Sequence, residues 1–425
     1  MNPFPSSTRP WQPNRPYRPA RPAVPNPPAP KGPPPGSEGW RTPWVQLKTY
    51  SFHPTIYPAM IRGASPDAKP GSLVQIYSKD GQPFGAGLYN PKARVPLRSI
   101  YHGHDPIDED YFTLLLERAL DMRLNSLRLP DSTDAFRVIN SDGDGLGGLM
   151  IDKFADVLSI QVHSLGIFQR LPKWLPMLHE RLGTKRVVLE VDEFIGRVEG
   201  IQPAKLPSDP VKSVKIREHG IRYEIDFEAG HKTGFFCDQR ENRRRIAQWT
   251  RGKRMLDLCC YTGGFSITAK TRGEAAEVTG VDLDEKAIAQ AKRNANLNNA
   301  KIDWVHCDAF SYARQMQQNG LKWDVVVCDP PKLIFSEEEA HEGLAKYEDL
   351  NALAISLVAP GGLLVTCSCS GQLSPEHFER IATKAAHRNG RKLQYVDRTG
   401  PGEDHPVMSN CPESLYLKLL WARVI

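Results

Sequence analysis

From residue 234 onward the chain repeats one pattern: a short apolar run, a polar or glycine-rich break, then a stretch of helical periodicity. The runs end at Leu258, Val281, His306, Cys328 and Thr366, and residues 285–298 and 337–357 carry helical spacing between them. Runs without polar residues at alternate positions predict strands buried on both faces of a parallel sheet. Strands alternating with helices predict βαβ units, hence an α/β, doubly wound sheet. The last run, 415–424, follows Pro412 with no evident crossover helix, so it predicts an antiparallel insertion near the sheet edge. One further strand before it brings the expected sheet to seven strands.

The first half reads differently. Residues 72–77 and 83–89 are β-like and flank Asp80-Gly81, a strong hairpin signal, and with their neighbours they predict a small β-barrel. Residues 108–128 have apolar positions at helical spacing. Strands at 136–139, 148–152, 157–162, 186–191 and 221–227, with a helix near 171–182, predict a small α+β unit. Between the first two of these strands lies Ser141-Asp-Gly-Asp-Gly-Leu-Gly147. It resembles a calcium loop, but the acidic spacing stops and Lys153 stands where a closing Glu is needed. It is read as a turn.

Composition and charge alter this picture at the N-terminus. Residues 1–43 are rich in proline and hold six basic side chains against Glu38, a net of +5 out of the chain's +6. Such a segment buries too little apolar surface to offset its ordering entropy and is expected to be a disordered tail. The remainder is nearly neutral, so nucleic-acid contact must rest on local patches. No window has the roughly 18 apolar residues of a membrane span, and no signal-peptide core opens the chain, which predicts a cytoplasmic protein without a membrane partner. Eight cysteines without CxxC pairs or zinc-like His spacing predict no metal site.

Candidate chemistry gathers at the strand ends. Asp257 ends the first strand of the repeat, and Tyr261-Thr-Gly-Gly-Phe265 makes a tight turn into a helix. Thr262, Gly263 and Gly264 let the backbone approach a ligand, and Phe265 opens the helix. Asp282 ends the next strand at the spacing where a carboxylate meets ribose hydroxyls. Asp308 follows the third strand, where it could accept from an adenine amine or simply cap a helix. Three carboxylates around a TGGF turn, without GxGxxG, suit a cationic sulfonium with ribose and adenine. The expected cofactor is S-adenosylmethionine.

Asp329-Pro-Pro-Lys332 closes the fourth strand, where a rigid carboxylate can grip a base edge or an exocyclic amine. Cys369 follows the fifth strand in a Ser/Gly turn. A thiolate there can add to carbon 6 of a pyrimidine and make carbon 5 nucleophilic. Glu413, or else His405, is expected to be the base that removes the carbon 5 proton. Gln239, Arg240 and Arg243 lie in the densest basic run, beside Phe235 and Phe236, and with Lys232 and Lys332 are expected to contact RNA. Methyl transfer to an exocyclic amine held at Asp329, and non-catalytic RNA binding, remain open alternatives on these residues.

Taken in order, GHKTGFFCDQR (230–240), YTGGF (261–265), VDLDEKAI (281–288), DPPK (329–332), SCSG (368–371), DHPV (404–407) and PESLYLK (412–418) resemble the ribosomal RNA large subunit methyltransferase I family. Members form 5-methylcytidine in 23S rRNA. The resemblance runs from about residue 45 to the C-terminus. It implies a PUA-like RNA-binding barrel (44–125), a central α+β domain (126–229) and a Rossmann-like, seven-stranded class I methyltransferase domain (230–425). It also implies Cys369 as nucleophile and Asp282, Asp308 and Asp329 as cofactor and base contacts. The implied partner is 23S rRNA or its large-subunit precursor, and a homodimer is compatible. The Pro/Arg tail, the extra Cys367 and the weakly basic barrel depart from the pattern.

Overall fold

The computed structural model describes residues 33–206, 208–228, 235–336 and 338–425. Six strands form the first sheet: β1 (Trp44–Leu47), β2 (Thr55–Ile56), β3 (Ile61–Ala64), β4 (Ser72–Tyr77), β5 (Pro83–Tyr89) and β6 (Leu97–His102), in the order β2-β6-β5-β4-β1-β3. The hairpin expected at Asp80-Gly81 joins β4 to β5, with Gly81 at φ +80°. Val45, Leu47, Ile56, Val74, Ile76 and Leu97 fill the barrel. Residues 1–32 of the expected tail lie outside the described residues. Residues 33–43 depart from that expectation, because Trp40 stacks on Tyr77 at 4.1 Å and Arg41 N donates to the Tyr77 hydroxyl.

Helix α1 (Asp110–Asp121) leads into a four-stranded sheet of β7 (Ala135–Asn140), β8 (Leu149–Phe154), β9 (Val157–Val162) and β10 (Arg186–Glu190), ordered β10-β9-β8-β7. Helix α2 (Leu165–Leu182) covers it and starts earlier than its sequence pattern indicates. It accommodates Pro172 and Pro176, residues that ordinarily end a helix. After α3 (Glu193–Glu199), the hairpin β11 (Ser213–Glu218) and β12 (Ile221–Asp226) stands apart as a two-stranded sheet. Its Tyr223 is buried against the C-terminal α/β region, with its hydroxyl 3.3 Å from Thr268 Oγ1.

The remaining elements are α4 (Arg240–Ile246), β13 (Arg254–Leu258), α5 (Gly264–Thr271), β14 (Glu277–Asp282), α6 (Glu285–Leu297), β15 (Asp303–His306), α7 (Ala309–Gln318), β16 (Trp323–Cys328), α8 (Ala340–Leu357), β17 (Val358–Ser368), α9 (Pro375–Arg388), β18 (Leu393–Thr399) and β19 (Lys418–Val424). Their seven strands form one sheet, ordered β15-β14-β13-β16-β17-β19-β18. The chain reverses direction across the sheet between β13 and β16, a parallel pair whose crevice is where open α/β sheets take ligands. The expected insertion is β19, antiparallel to both β17 and β18. The apolar runs are buried on both faces: Leu256, Leu258, Val326 and Leu364 join one core and Met255, Val325, Val327 and Val365 the other.

Candidate active site

Beyond Leu258 the chain turns through Cys259, Tyr261 and Gly263, at φ 63°, 48° and 85°, before α5 starts. Holding Cys259 and Tyr261 in the left-handed region costs on the order of 1–3 kcal/mol each, a strain that persists only where surrounding structure imposes it. Asp282 imposes it at Tyr261. Its Oδ2 accepts from Tyr261 N at 2.8 Å and its Oδ1 from Asp284 N at 2.9 Å. Gly263 is required twice, by its φ and because a Cβ would lie 2.5 Å from the Trp304 ring.

Asp257 lies under this turn, 1% exposed. Its Oδ2 accepts from Ser266 N at 3.1 Å and Ser266 Oγ at 2.6 Å, while Oδ1 is buried with no partner among the described residues. Burial, opposed by Ser266 and reinforced by the Asp329 charge, pushes its carboxyl up to about 7. Burial likewise raises Asp282. An orphaned carboxylate oxygen beneath a glycine turn fits a ligand that brings its own cation, as the amino group of S-adenosylmethionine does. Asp282 retains lone pairs for a diol. Asp308, by contrast, caps α7: its Oδ1 accepts from both Ser311 N and Ser311 Oγ at 2.9 Å.

Asp329 continues β16 into the diproline loop. Its Oδ2 accepts from Gln239 Nε2 at 2.9 Å, and burial, with Asp238 nearby, pushes its carboxyl up to about 7. Cys369 leaves β17 beside this loop, its Sγ 4.0 Å from Pro330 O. Two buried side chains fix the turn that carries it. Tyr347 Oη on α8 lies 3.0 Å from both Ser368 Oγ and Ser370 Oγ, and Lys418 Nζ on β19 donates to Ser370 O at 2.7 Å. Burial lowers Lys418 to about 8, and the nearby Cys369 opposes that shift. Cys367, two residues earlier, is wholly buried in the strand, where desolvation raises its thiol far above the ordinary range.

Several sequence expectations need correction. Arg240 and Arg243 do not face solvent, so they offer phosphates nothing. Arg240 pairs with Asp404 at 2.8 Å with both side chains at 0% exposure, and Arg243 pairs with Glu218 at 2.7 Å, also buried. Gln239 is buried too, and its amide is spent on Asp329. Lys332 is exposed, with its Nζ 5.9 Å over the Phe335 ring, and Lys232 lies outside the described residues. Glu413 is engaged by the barrel. Its carboxylate meets His53 Nε2 at 2.5 Å, and although burial opposes it, hydrogen bonding including that from His53 keeps it below the ordinary carboxylate range, which weakens it as a base. His405 is buried against Asp404 at 3.0 Å.

Sequence reading passed over Lys418 and Tyr347. The lysine closes the PESLYLK stretch and opens β19 next to Leu419, Leu420 and Trp421, and a lysine set directly against such an apolar run is the signal that could have found it.

The sheet order, the strained glycine turn and the strand-end carboxylates define a class, the S-adenosylmethionine-dependent methyltransferases. The family model of that description matches residues 201–420, and a PUA-like domain matches residues 46–100. The chain belongs to the ribosomal RNA large subunit methyltransferase I family. It is 34% identical over 378 residues to the Shewanella denitrificans member, covering 86% of this chain and 92% of that one. It is 34% identical to the Aeromonas hydrophila member, covering 87% and 95%, and 31% identical to that of Erwinia tasmaniensis, covering 88% and 96%. A solved structure described as a methyltransferase complexed with SAH shares the fold, at a TM-score of 0.71 and 22% identity over 83% of this chain and 91% of that chain. A Streptococcus mutans protein described as a SAM-dependent methyltransferase aligns at 0.70 and 22% over 84% and 93%. Among the described residues no helix is long and apolar enough to cross a membrane.

Proposed function

We propose that the chain methylates carbon 5 of a cytosine in 23S rRNA, or in its large-subunit precursor in the cytoplasm, through a covalent bond between Cys369 and carbon 6. The observation that carries this reading is the place of Cys369: a thiol beside Pro330, in a turn pinned by Tyr347 and Lys418, next to the strand end that carries Asp329. The ribosomal substrate rests on the names of the relatives.

Asp257 and Asp282 are the residues to hold S-adenosylmethionine, with the Tyr261–Phe265 turn between them. When bound, that cofactor supplies an electrophilic methyl group on a sulfonium. The residues of the chain do the rest. The Cys369 thiolate adds to carbon 6, and the ring electrons it displaces make carbon 5 a nucleophile. Lys418 favours the thiolate by its charge and holds the turn through Ser370 O. Once carbon 5 carries the methyl group, its remaining proton must leave. Asp329 is the better base than Glu413, because its pKa near 7 suits proton transfer at neutral pH. Loss of that proton expels the thiolate and restores the ring. Lys332 and the exposed Phe335 offer the RNA a cation and a stacking face on the same loop.

Cys369→Ala should lower turnover by about a thousandfold or more while S-adenosylmethionine still binds. Methylation at the native rate by this variant would rule the thiol out as nucleophile.

A further inference from the structure

The barrel carries a feature that methyl transfer does not use. Between β1 and β2, Tyr50 and Phe52 are 50% and 62% exposed. They are not scattered apolar residues of the ordinary surface kind. Tyr50 packs on Phe84 at 5.5 Å, Phe52 on Phe84 at 5.2 Å and on His102 at 5.4 Å, so four rings form one cluster. Burial lowers the His102 pKa, opposed by a hydrogen bond to the Ser51 backbone.

The surroundings are basic on one side. Lys79 Nζ sits 5.8 Å over the Tyr50 ring, and Lys48 and Arg62 are exposed nearby in sequence or structure, with Arg62 donating to Lys79 O. Asp80, which accepts from Tyr50 Oη and Lys79 Nζ, is the acid among them and orients the tyrosine.

The cluster also adjoins the Cys369 turn. Phe52 O accepts from Asn410 Nδ2 at 2.6 Å, and His53 meets Glu413 at 2.5 Å. Glu413 O in turn lies 3.5 Å from where a Cβ on Gly371 would stand, two residues past Cys369. One run of residues, 410–413, therefore lies between the aromatic loop and the thiol turn. This gives the Glu413 contact a structural meaning: it fastens the barrel loop to the catalytic edge.

We propose that Phe52 and Tyr50 form a stacking platform for an unpaired nucleotide of the RNA substrate, next to the base being modified. The proposal rests on the reading that the substrate is RNA. Exposed rings stack on any base, and the cations beside them meet the phosphate. The platform sets affinity and the register of the strand; Cys369 sets the reaction.

The test uses full-length protein and a single-stranded RNA of about ten nucleotides, within the usual reach of such sites, carrying 2-aminopurine beside the target cytosine. Phe52→Ala and Phe52→Leu should each weaken binding on the order of tenfold and remove the fluorescence quenching, while Phe52→Trp retains both. With methylation as readout, KM rises and kcat holds. Cys369→Ala should bind the RNA like the native protein, so the platform is tested even where the carbon 5 chemistry fails. Unchanged RNA affinity in both Phe52→Ala and Phe52→Leu would overturn the proposal. So would loss of a homodimer, with RNA affinity intact, because the rings would then be a protein contact.

Discussion

Two regions of this molecule bury charge, and they do so in opposite ways. Around Asp404 every charge meets its complement. Arg240 reaches both carboxylate oxygens, at 2.8 and 3.0 Å, and Arg137 N and His405 Nδ1 add further contacts. Arg123 donates to Asp404 O at 2.7 Å and pairs with Asp144 of the Asp/Gly turn. Burial alone would raise Asp404, but His405 and Arg240 hold it well below the carboxylate range. At the strand edge the balance is left open. Asp257 keeps an orphaned oxygen, Asp257 and Asp329 titrate near 7, and Lys418 titrates near 8. Compensated charge fastens the C-terminal DHPV stretch to the central unit. Uncompensated charge marks the place where a ligand completes the set.

The largest effect should come from the compensated region. Arg240→Ala strands a wholly buried Asp404 and should cost about 3–5 kcal/mol, read as a drop in Tm or in denaturant midpoint. The paired replacement Arg240→Met with Asp404→Leu should recover most of that loss. If Arg240→Ala has native stability and weaker RNA binding, the arginine is a phosphate contact and the distinction between the two regions fails.

A smaller effect is expected at Lys418. Activity should fall below pH about 7 as Asp329 gains its proton and above pH about 8 as Lys418 loses its charge. The upper limb belongs to Lys418 together with the Cys369 thiol beside it, which Tyr347 faces from α8. Lys418→Met should shift the pH at which Cys369 reacts with iodoacetamide upward by about one unit, or about 1.4 kcal/mol. An unshifted alkylation profile would reduce Lys418 to a strut for the turn.

The smallest effect is at Asp257, and its sign is the informative part. Its folded pKa lies above the ordinary value near 3.9, so the folded state binds more protons between about pH 4 and 7. Stability therefore declines as pH rises through that window, and the penalty is complete above it. Asp257→Asn should stabilise the protein by about 1 kcal/mol at pH 8, do nothing at pH 4, and weaken S-adenosylmethionine binding. Lower stability at pH 8 would mean that the carboxylate is already compensated.

Much of this arrangement was legible in the sequence because parallel strands buried on both faces must be unbroken apolar runs. The polar residue after each run must then lie on the carboxyl edge. Asp282, Asp329 and Cys369 could be placed that way without any coordinates, and Asp257, one residue before the end of its run, by its place next to the glycine turn. The arginines could not. A helical stretch such as 239–245 does not say which face is buried, and the partner of Arg240 lies 164 residues away. The contact that holds Glu413 was hidden for the same reason, since its histidine is 360 residues away on the barrel. Lys418 opens a strand between Leu417 and Leu419, and its burial there is not readable from those neighbours. Charge pairs between distant segments leave no local period to read.

The central claim is that Cys369 bonds to the base. The direct measurement is mass spectrometry of the protein after incubation with S-adenosylmethionine and a target-bearing rRNA fragment in which the cytosine carries fluorine at carbon 5. The fluorine cannot leave as a proton does, so the account predicts a trapped protein–RNA adduct on the peptide containing Cys369, absent in Cys369→Ala. Methylation of the unsubstituted RNA without any such adduct would contradict it and move the reaction to an exocyclic amine at Asp329.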